Sequence, residues 1–272
     1  RLHDGSLPRI GFSNVEGRAN FLRQGELFPD QPAPGSVILA YQGMRRYHIM
    51  VDKLGGFQLK GMADKKHTWD KIILEAYRFD PQTGEVLWAI DKEQTGKSGY
   101  RVKMQRRNME SDLVMFTCRQ TTLFNLLEPR NFRYMTKIQL IDGRLESEPV
   151  RYWWSRIDTR ESTLLAVCLE PFVRMKMTLS DTVLRQKMIL THASGEHPQG
   201  AGFLMNRWPF IHRTEYRVAQ DMWHLLAPRI ANLERHGIYS GRIRRLQQEG
   251  SDALEEAEQA LAQRRYDRFY EA

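Results

Sequence analysis

The feature that most constrains this chain is a change in the period of its apolar residues near Thr214. Before that point, short apolar runs stand between Gly, Pro and Asp turns, or alternate with polar residues. In 173–179, for example, Arg174 and Lys176 separate apolar side chains. This alternation is typical of strands with one buried and one solvated face. After Thr214 the apolar residues follow a helical period. The sequence therefore predicts a mostly β protein, with one or two β-sandwich-like domains, that ends in an α-helical hairpin or stalk.

Turn residues and the change of period divide the chain into four predicted segments. The first is rich in Pro and Gly and is expected to be an extended entry segment that contains at most one short strand or turn. A β-sandwich module, a second β-rich domain and the helical part follow it. The predicted boundaries are 1–35, 36–98, 99–212 and 213–272.

The helical part is expected to contain several short helices. The first carries a single apolar stripe, formed by Trp223, Leu226, Ile230 and Leu233. Gly237 is expected to end this helix, because glycine readily adopts the conformation that terminates helices. A second helix is predicted over 242–248 with its end at Gly250, and Ser251 or Asp252 is expected to cap a third.

Composition excludes several classes of protein. The chain has 272 residues, of which 41% are apolar, and this content is too high for a disordered protein. Its longest apolar run, 164–169, is far shorter than the roughly 18 residues of a membrane-spanning helix. Two cysteines do not make a disulfide scaffold. Cys118 and Cys168 each lie in an apolar run and are predicted to be buried thiols, with a bridge between them left open.

Positive charge is concentrated in the β part of the chain. The net charge is +8, whereas 241–272 contains six Arg and seven acidic residues. Arg101, Lys103, Arg174 and Lys176 occupy outward positions of predicted strands and form a candidate interaction surface. A solvated basic face is the ordinary explanation of such a pattern. The functional alternatives are anionic lipid head groups and single-stranded nucleic acid, although no nucleic-acid-binding motif supports the second.

Trp153 and Trp154 form the most aromatic point of the sequence. Adjacent strand residues face opposite sides of a sheet. One of the two is therefore expected to lie in the core, and the other at the surface or in an interface. An exposed Trp could stack on a sugar or enter the interface of a bilayer. Both residues are added to the candidate interaction surface.

Motifs for catalysis or cofactor binding are weak. The stretch 95–98 resembles the end of a phosphate-binding loop, but the position that requires glycine is Asp91. The eight histidines show no zinc-ligand spacing with the cysteines. We therefore predict no catalytic residue, cofactor or metal ligand, and favour a non-catalytic protein while leaving an enzyme of unassigned class open.

Two stretches resemble known families. The motif Gly-Gly-Phe-Gln-Leu-Lys-Gly at 55–61, followed by Ile-Leu-Glu-Ala-Tyr at 73–77, resembles carboxypeptidase regulatory-like β-sandwich domains. The motif Thr-Leu-Phe-Asn-Leu-Leu-Glu-Pro-Arg at 122–130, with Asp-Met-Trp at 221–223 and the later helices, is similar to the extracytoplasmic region of FtsX-like or ABC-transporter-type permeases of bacteria. This second resemblance implies a β-rich outer region joined by a helical stalk to a membrane bundle. It supplies no site residues.

Together these observations predict a non-catalytic, extracytoplasmic interaction or sensing region of a membrane-anchored, permease-like protein. The first residue is Arg1 rather than Met, and the last residues continue a helical pattern, so we expect a piece of a longer chain. Expected partners are the membrane part of the same parent chain and an envelope protein, glycan or anionic lipid. The alternatives are a carbohydrate-binding β-sandwich that uses Trp153 or Trp154, and a basic nucleic-acid-binding protein.

Overall fold

The computed structural model describes residues 12–23, 25–26, 28–43, 45–63, 71–91, 100–103, 108–126, 137–156, 164–180 and 187–272. The chain divides into two compact units. Unit 1 consists of 1–121, 150–155 and 167–171, and unit 2 consists of 122–149, 156–166 and 172–272. This division differs from the four predicted segments, because the expected boundaries after residues 35 and 98 both fall within unit 1.

The predicted fold class is confirmed, since the chain is mostly β with helices at its C-terminal end. The strands are β1 (Phe12–Leu22), β2 (Gln31–Pro32), β3 (Val37–Gln42), β4 (Arg45–Met50), β5 (Gly56–Ala63), β6 (Lys71–Phe79), β7 (Val86–Ile90), β8 (Tyr100–Lys103), β9 (Asn108–Glu110), β10 (Leu113–Thr117), β11 (Arg119–Leu123), β12 (Lys137–Asp142), β13 (Tyr152–Arg156), β14 (Leu165–Leu169), β15 (Arg174–Ser180), β16 (Lys187–Leu190), β17 (Phe203–Leu204) and β18 (Phe210–Ile211). The helices are α1 (Thr214–Arg235), α2 (Gly241–Ala262) and α3 (Tyr266–Glu271).

Strand β1 is the centre of unit 1, and its 11 residues make it much longer than the single short strand expected within 1–35. It pairs with β5 and β9 along its first part and with β2 and β10 along its last part. Its buried residues include Ser13, Val15, Ala19 and Phe21, which alternate along the strand. Two of these side chains are small, so the apolar alternation of β1 is weak in the sequence even though its backbone organises the sheet.

Strands β2 to β10 all belong to the same sheet as β1, whereas β13 and β14 pair with each other in a separate sheet. The order of the sheet that contains β1 is β2-β1-β10-β7-β6-β3-β4, with β5, β8 and β9 paired off this path. Strands β6 and β7 are joined by a hairpin loop. There, the Asp80 carboxylate accepts hydrogen bonds from the backbone N–H groups of Gln82 and Thr83, and Gly84 has a φ of 75°.

Unit 2 contains a smaller antiparallel sheet in the order β12-β15-β16, with β17 also paired to β15. Register is set by pairs such as Leu140 with Met177 and Met177 with Leu190, and all three of these side chains are buried. Helix α1 packs against β16. The short strand β18 pairs with the end of β11 through Thr122 and Leu123.

Helix α1 begins and ends where the period of the sequence predicts. Gly237 follows it with a φ of 79°. The N–H of Gly237 donates to the carbonyl of Glu234, and the N–H of Ile238 donates to that of Leu233. This pair of bonds is the Schellman arrangement that satisfies the last carbonyls of a helix.

The predicted break at Gly250, and the third helix capped by Ser251 or Asp252, are wrong. Helix α2 runs without interruption through Gly250, and Ser240 caps its start by accepting a hydrogen bond from the N–H of Ile243. A Cβ on Gly250 would lie 3.8 Å from the ring of Trp223, so the glycine lies against α1. Interior glycine costs a helix about 1 kcal/mol, which packing readily offsets.

Among the residues that the structure describes, none of the helices is both long enough and apolar enough to cross a membrane.

We predict that Gly17→Ala destabilises the protein by at least about 1–3 kcal/mol. A Cβ at this position of β1 would lie 2.1 Å from the backbone carbonyl oxygen of Ser111, so backbone must move to admit it. Urea unfolding followed by circular dichroism measures the change. Gly241→Ala is the control, because no atom lies within 4 Å of a Cβ there. Equal stability of the two variants would contradict the close approach of β1 to Ser111.

Candidate functional site

Of the four basic residues in the predicted interaction surface, Arg174 and Lys176 lie on β15 in unit 2, whereas Arg101 and Lys103 lie on β8 in unit 1. The backbone of β8 pairs with that of β6. Arg174 and Lys176 lie on the wall of a pocket of about 690 Å³, which we call the basic pocket. The expected loop at 95–98 lies outside the described residues.

The basic pocket is built from four parts of unit 2. Its lining consists of Gly143 and Glu146 after β12, Arg174 and Lys176 on β15, the loop 196–201, and Leu225, Pro228 and Arg229 on α1. Pockets of this volume are typical of ligand sites. The arrangement brings together residues that are far apart in the sequence, and only two of them were singled out from the sequence.

Two glycines allow the backbone around Arg174 to pack closely. A Cβ on Gly143 would lie 3.0 Å from the carbonyl oxygen of Arg174, and a Cβ on Gly202 would lie 2.9 Å from the Arg174 Cβ. Gly202 also has a φ of 75°, which favours glycine. The turn at 143–146, directly after β12, forms one edge of the pocket.

The loop that follows β16 is held in place by one carboxylate of α1. Asp221 is buried and accepts hydrogen bonds from the backbone N–H groups of Thr191, His192 and Ala193 at 2.5, 3.0 and 2.6 Å. Burial raises the pKa of Asp221, and the three N–H donors oppose this shift. The same loop continues to 196–201, so Asp221 fixes a wall of the basic pocket against α1.

The charges of the basic pocket are only partly paired. Lys176 is 6% exposed, and its Nζ lies 2.7 Å from Oε1 of Glu146. The prediction that Lys176 faces solvent is therefore wrong, because the turn after β12 covers it. Arg174 is exposed and donates a hydrogen bond to the carbonyl of Ala201 at 3.3 Å. Arg229 is exposed and reaches the pocket from α1.

Two guanidinium groups on one pocket favour an anionic group over a neutral or cationic one. The guanidinium of arginine presents several N–H donors in a planar fork that matches carboxylate, phosphate and sulfate oxygens. Lys176 is already paired with Glu146, so Arg174 and Arg229 are the lining residues best suited to this contact. Glu196 also lines the pocket and makes its field less positive.

Sequence reasoning missed Arg229 and Asp221 because their roles depend on which face of α1 meets the sheet. The apolar stripe of α1 is visible in the sequence, but this helix has further contacting faces. Asp221 and Val218 are buried on the face toward the sheet. An acidic residue on the buried face of a helix can be recognised in a sequence. It indicates that hydrogen-bond donors surround the carboxylate, because a buried carboxylate requires them.

Trp153 and Trp154 differ in burial, as expected for adjacent residues of a strand. Trp153 is 6% exposed in the core of unit 1, and its Nε1 donates to the hydroxyl of Tyr77 at 2.7 Å. Trp154 is half-buried. Tyr77 donates to Glu75 at 3.0 Å, and Tyr41 donates to the same oxygen at 3.3 Å. This buried network makes Trp153 a structural residue rather than a stacking surface.

Burial and the Glu75 charge both perturb the tyrosines of this network. Burial, followed by the charge of Glu75, raises the pKa of Tyr41 to about 12. The same two causes raise the pKa of Tyr77 further. Both hydroxyls therefore stay protonated at neutral pH and remain available as hydrogen-bond donors.

Cys118 and Cys168 are free and buried in the core of unit 1, as the sequence predicts. A hydrogen bond with Cys168, together with burial, raises the pKa of the Cys118 thiol. A raised thiol pKa disfavours the reactive thiolate, so Cys118 is suited to packing rather than to nucleophilic chemistry. Among the described residues, His, Cys, Asp and Glu form no group of three or more that could hold a metal ion.

Neither the protein-family models nor the curated proteins contain a match to this chain. Solved structures give weak similarities. The Bacillus anthracis TIE protein is 9% identical with a TM-score of 0.26, over 65% of this chain and 31% of that one. The shaft pilin SpaA of Lactobacillus rhamnosus GG, as a double mutant, is 7% identical with a TM-score of 0.26, over 65% and 92% of the chains. A DUF3823 family protein of Bacteroides ovatus is 10% identical with a TM-score of 0.23, over 65% and 94%.

Similarities of this size establish neither a shared fold family nor a shared activity. This chain also spans less than a third of the TIE protein.

We predict that Asp221→Asn lowers the free energy of unfolding by about 1.5–3 kcal/mol, because hydrogen bonds to a charged acceptor are lost. The loss is measured by urea unfolding, and hydrogen exchange should accelerate at the amides of 191–193. Asp267→Asn is the matched control, because Asp267 is exposed on α3. Unchanged exchange at 191–193 in Asp221→Asn would show that this carboxylate does not hold the loop.

Proposed function

We propose that the chain is a non-catalytic interaction module whose unit 2 binds an anionic group of a partner through the basic pocket. The group has carboxylate, phosphate or sulfate chemistry. The observation that carries this proposal is the convergence of Arg174 from β15 and Arg229 from α1 on one pocket of about 690 Å³. Lys176 supports the wall of the pocket through its pair with Glu146.

We further propose that the module works outside the cytoplasm as part of a membrane-anchored, permease-like protein. Support comes from the resemblance of the sequence at 122–130 and 221–223 to such proteins. Anionic groups are abundant there on envelope polymers, proteins and lipid head groups. On this proposal, the helical hairpin transmits the bound state of unit 2 toward the membrane part of the parent.

On this proposal, transmission begins at helix α1. Helix α1 contributes Arg229 to the basic pocket and Asp221 to the loop that forms its wall. A ligand that draws Arg174 and Arg229 together would therefore act directly on α1. Transmission can be tested by deletion. A deletion of all of 214–272 would remove part of the pocket itself, so the deletion should leave α1 in place and remove only 240–272.

The alternative function, a carbohydrate-binding β-sandwich, cannot use Trp153 to stack on a sugar. Trp153 is buried and bonded to Tyr77, so it presents no face to a sugar. An acidic glycan remains a suitable ligand for the basic pocket, since its carboxylate or sulfate groups match the two arginines.

We predict that Arg174→Gln and Arg229→Gln each weaken binding to a polyanion by about tenfold, because each removes one charge-assisted contact. Immobilised poly-L-glutamate, polyphosphate and dextran sulfate are the probes, with uncharged dextran as the blank. Biolayer interferometry at physiological salt gives the affinities. Arg174→Lys should recover only part of the loss, because lysine keeps the charge without the planar fork.

Arg207→Gln is the control for net charge, because Arg207 is exposed and does not line the pocket. It should change binding by less than about twofold. If all three Arg→Gln variants weaken binding equally, the polyanion follows the overall positive charge, and the pocket proposal is wrong. Absence of binding to all three probes would also contradict it.

A further inference from the structure

The three helices of unit 2 enclose a second cavity. Its volume is about 710 Å³, and it opens among α1, α2 and α3. We call it the helical groove. Its apolar lining includes Ala219, Met222, Trp223, Leu254 and Phe269. Small residues widen it on the α2 side, where Gly250, Ala253 and Ala257 stand opposite the larger side chains of α1.

The groove follows from the sequence of the two long helices. Their exposed and half-buried apolar residues include Leu226 and Leu254, which line the groove. Trp223 meets Gly250, and Tyr216 packs edge-on against Phe269 at a centroid distance of 5.2 Å. Between these two contacts the helices leave room that their own side chains do not fill. Apolar cavities of this size are typical of sites for organic ligands.

One polar group in this apolar lining is not satisfied by the protein. Glu215 lines the groove, and its Oε2 is buried without a hydrogen-bond partner among the described residues. Burial raises the pKa of this carboxyl group. A buried carboxylate oxygen without a donor is costly, and a ligand that supplies a donor removes that cost.

The charge of the surrounding helix favours a cation. The stretch 246–263 contains five acidic residues and no Lys or Arg. These are Glu249, Asp252, Glu255, Glu256 and Glu258, and all five are exposed. Glu249 is already paired with Arg245, so four of these carboxylates can attract a cation toward the groove. The guanidinium of Arg213, 5.9 Å from the ring centroid of Phe269, opposes that attraction, so the preference for a cation rests on Glu215.

We infer that the helical groove binds an organic cation: a ligand with an apolar body that fills the space among α1, α2 and α3, and one ammonium group that pairs with Glu215. This site takes a ligand of opposite charge to that of the basic pocket. The inference does not rest on the proposed function, because the two cavities share no lining residue.

The test compares three ligands with the same chain and different head groups: octylammonium, 1-octanol and octanoate. Isothermal titration calorimetry at neutral pH gives the affinities, and Trp223 in the lining makes tryptophan fluorescence a second readout. We expect octylammonium to bind with one site per chain, at least about tenfold more tightly than octanol, and octanoate to bind most weakly.

Three variants separate the possible results. Glu215→Gln should reduce octylammonium binding to the level of octanol while leaving octanol binding unchanged. Glu256→Gln is the matched control, because it removes an exposed charge of α2 that does not line the groove, and it should change binding by less than about twofold. Ala253→Phe should fill the groove and abolish binding of all three ligands.

Several outcomes would overturn the inference. Octanoate binding as tightly as octylammonium, or Glu215→Gln without effect, would exclude the ammonium–Glu215 pair. A third contrary result is that all three ligands bind equally and that Ala253→Phe abolishes their binding. The groove would then be apolar but indifferent to charge, as expected of a groove that receives a partner helix. Binding that survives Ala253→Phe would place the ligand elsewhere. Variants of the basic pocket should leave octylammonium binding intact, so the two proposals fail independently.

Discussion

The buried carboxylate of Asp221 is the contact on which the arrangement of unit 2 depends. It accepts three backbone N–H groups at the end of β16, and it thereby fixes both the loop that follows and the helix that carries it. Such a group is stable in the protein interior only when donors surround it. With α1 fixed in this way, one face of the helix packs on the sheet and the others remain free to form cavities.

Both cavities of unit 2 use α1, and they have opposite chemistry. Arg229 projects into the basic pocket beside Arg174, whereas Glu215 and Trp223 belong to the helical groove. A ligand in either cavity would contact the same helix. The net charge of +8 describes neither site well, because each depends on a few local residues.

The sequence predicted most of the elements whose buried side chains are large. The helical period of α1 was confirmed, and so was the alternation of β15 except at Lys176. The sequence-based prediction failed at elements that are built on small residues. The length of strand β1 was underestimated because Ser13 and Ala19 give little apolar signal, and Gly250 was interpreted as a helix end although it packs against Trp223. The burial of Lys176 was not predictable, because it depends on the turn that brings Glu146 over it.

We propose that unit 2 holds an anion between β15 and α1. The most direct test is a titration of the ¹⁵N-labelled protein with sodium sulfate at constant ionic strength, followed by amide chemical shifts. We expect saturable shifts that centre on Gly143, Arg174, Ala201 and Arg229, which line the basic pocket. Shifts that do not saturate, or that centre on the strands of unit 1, would contradict it.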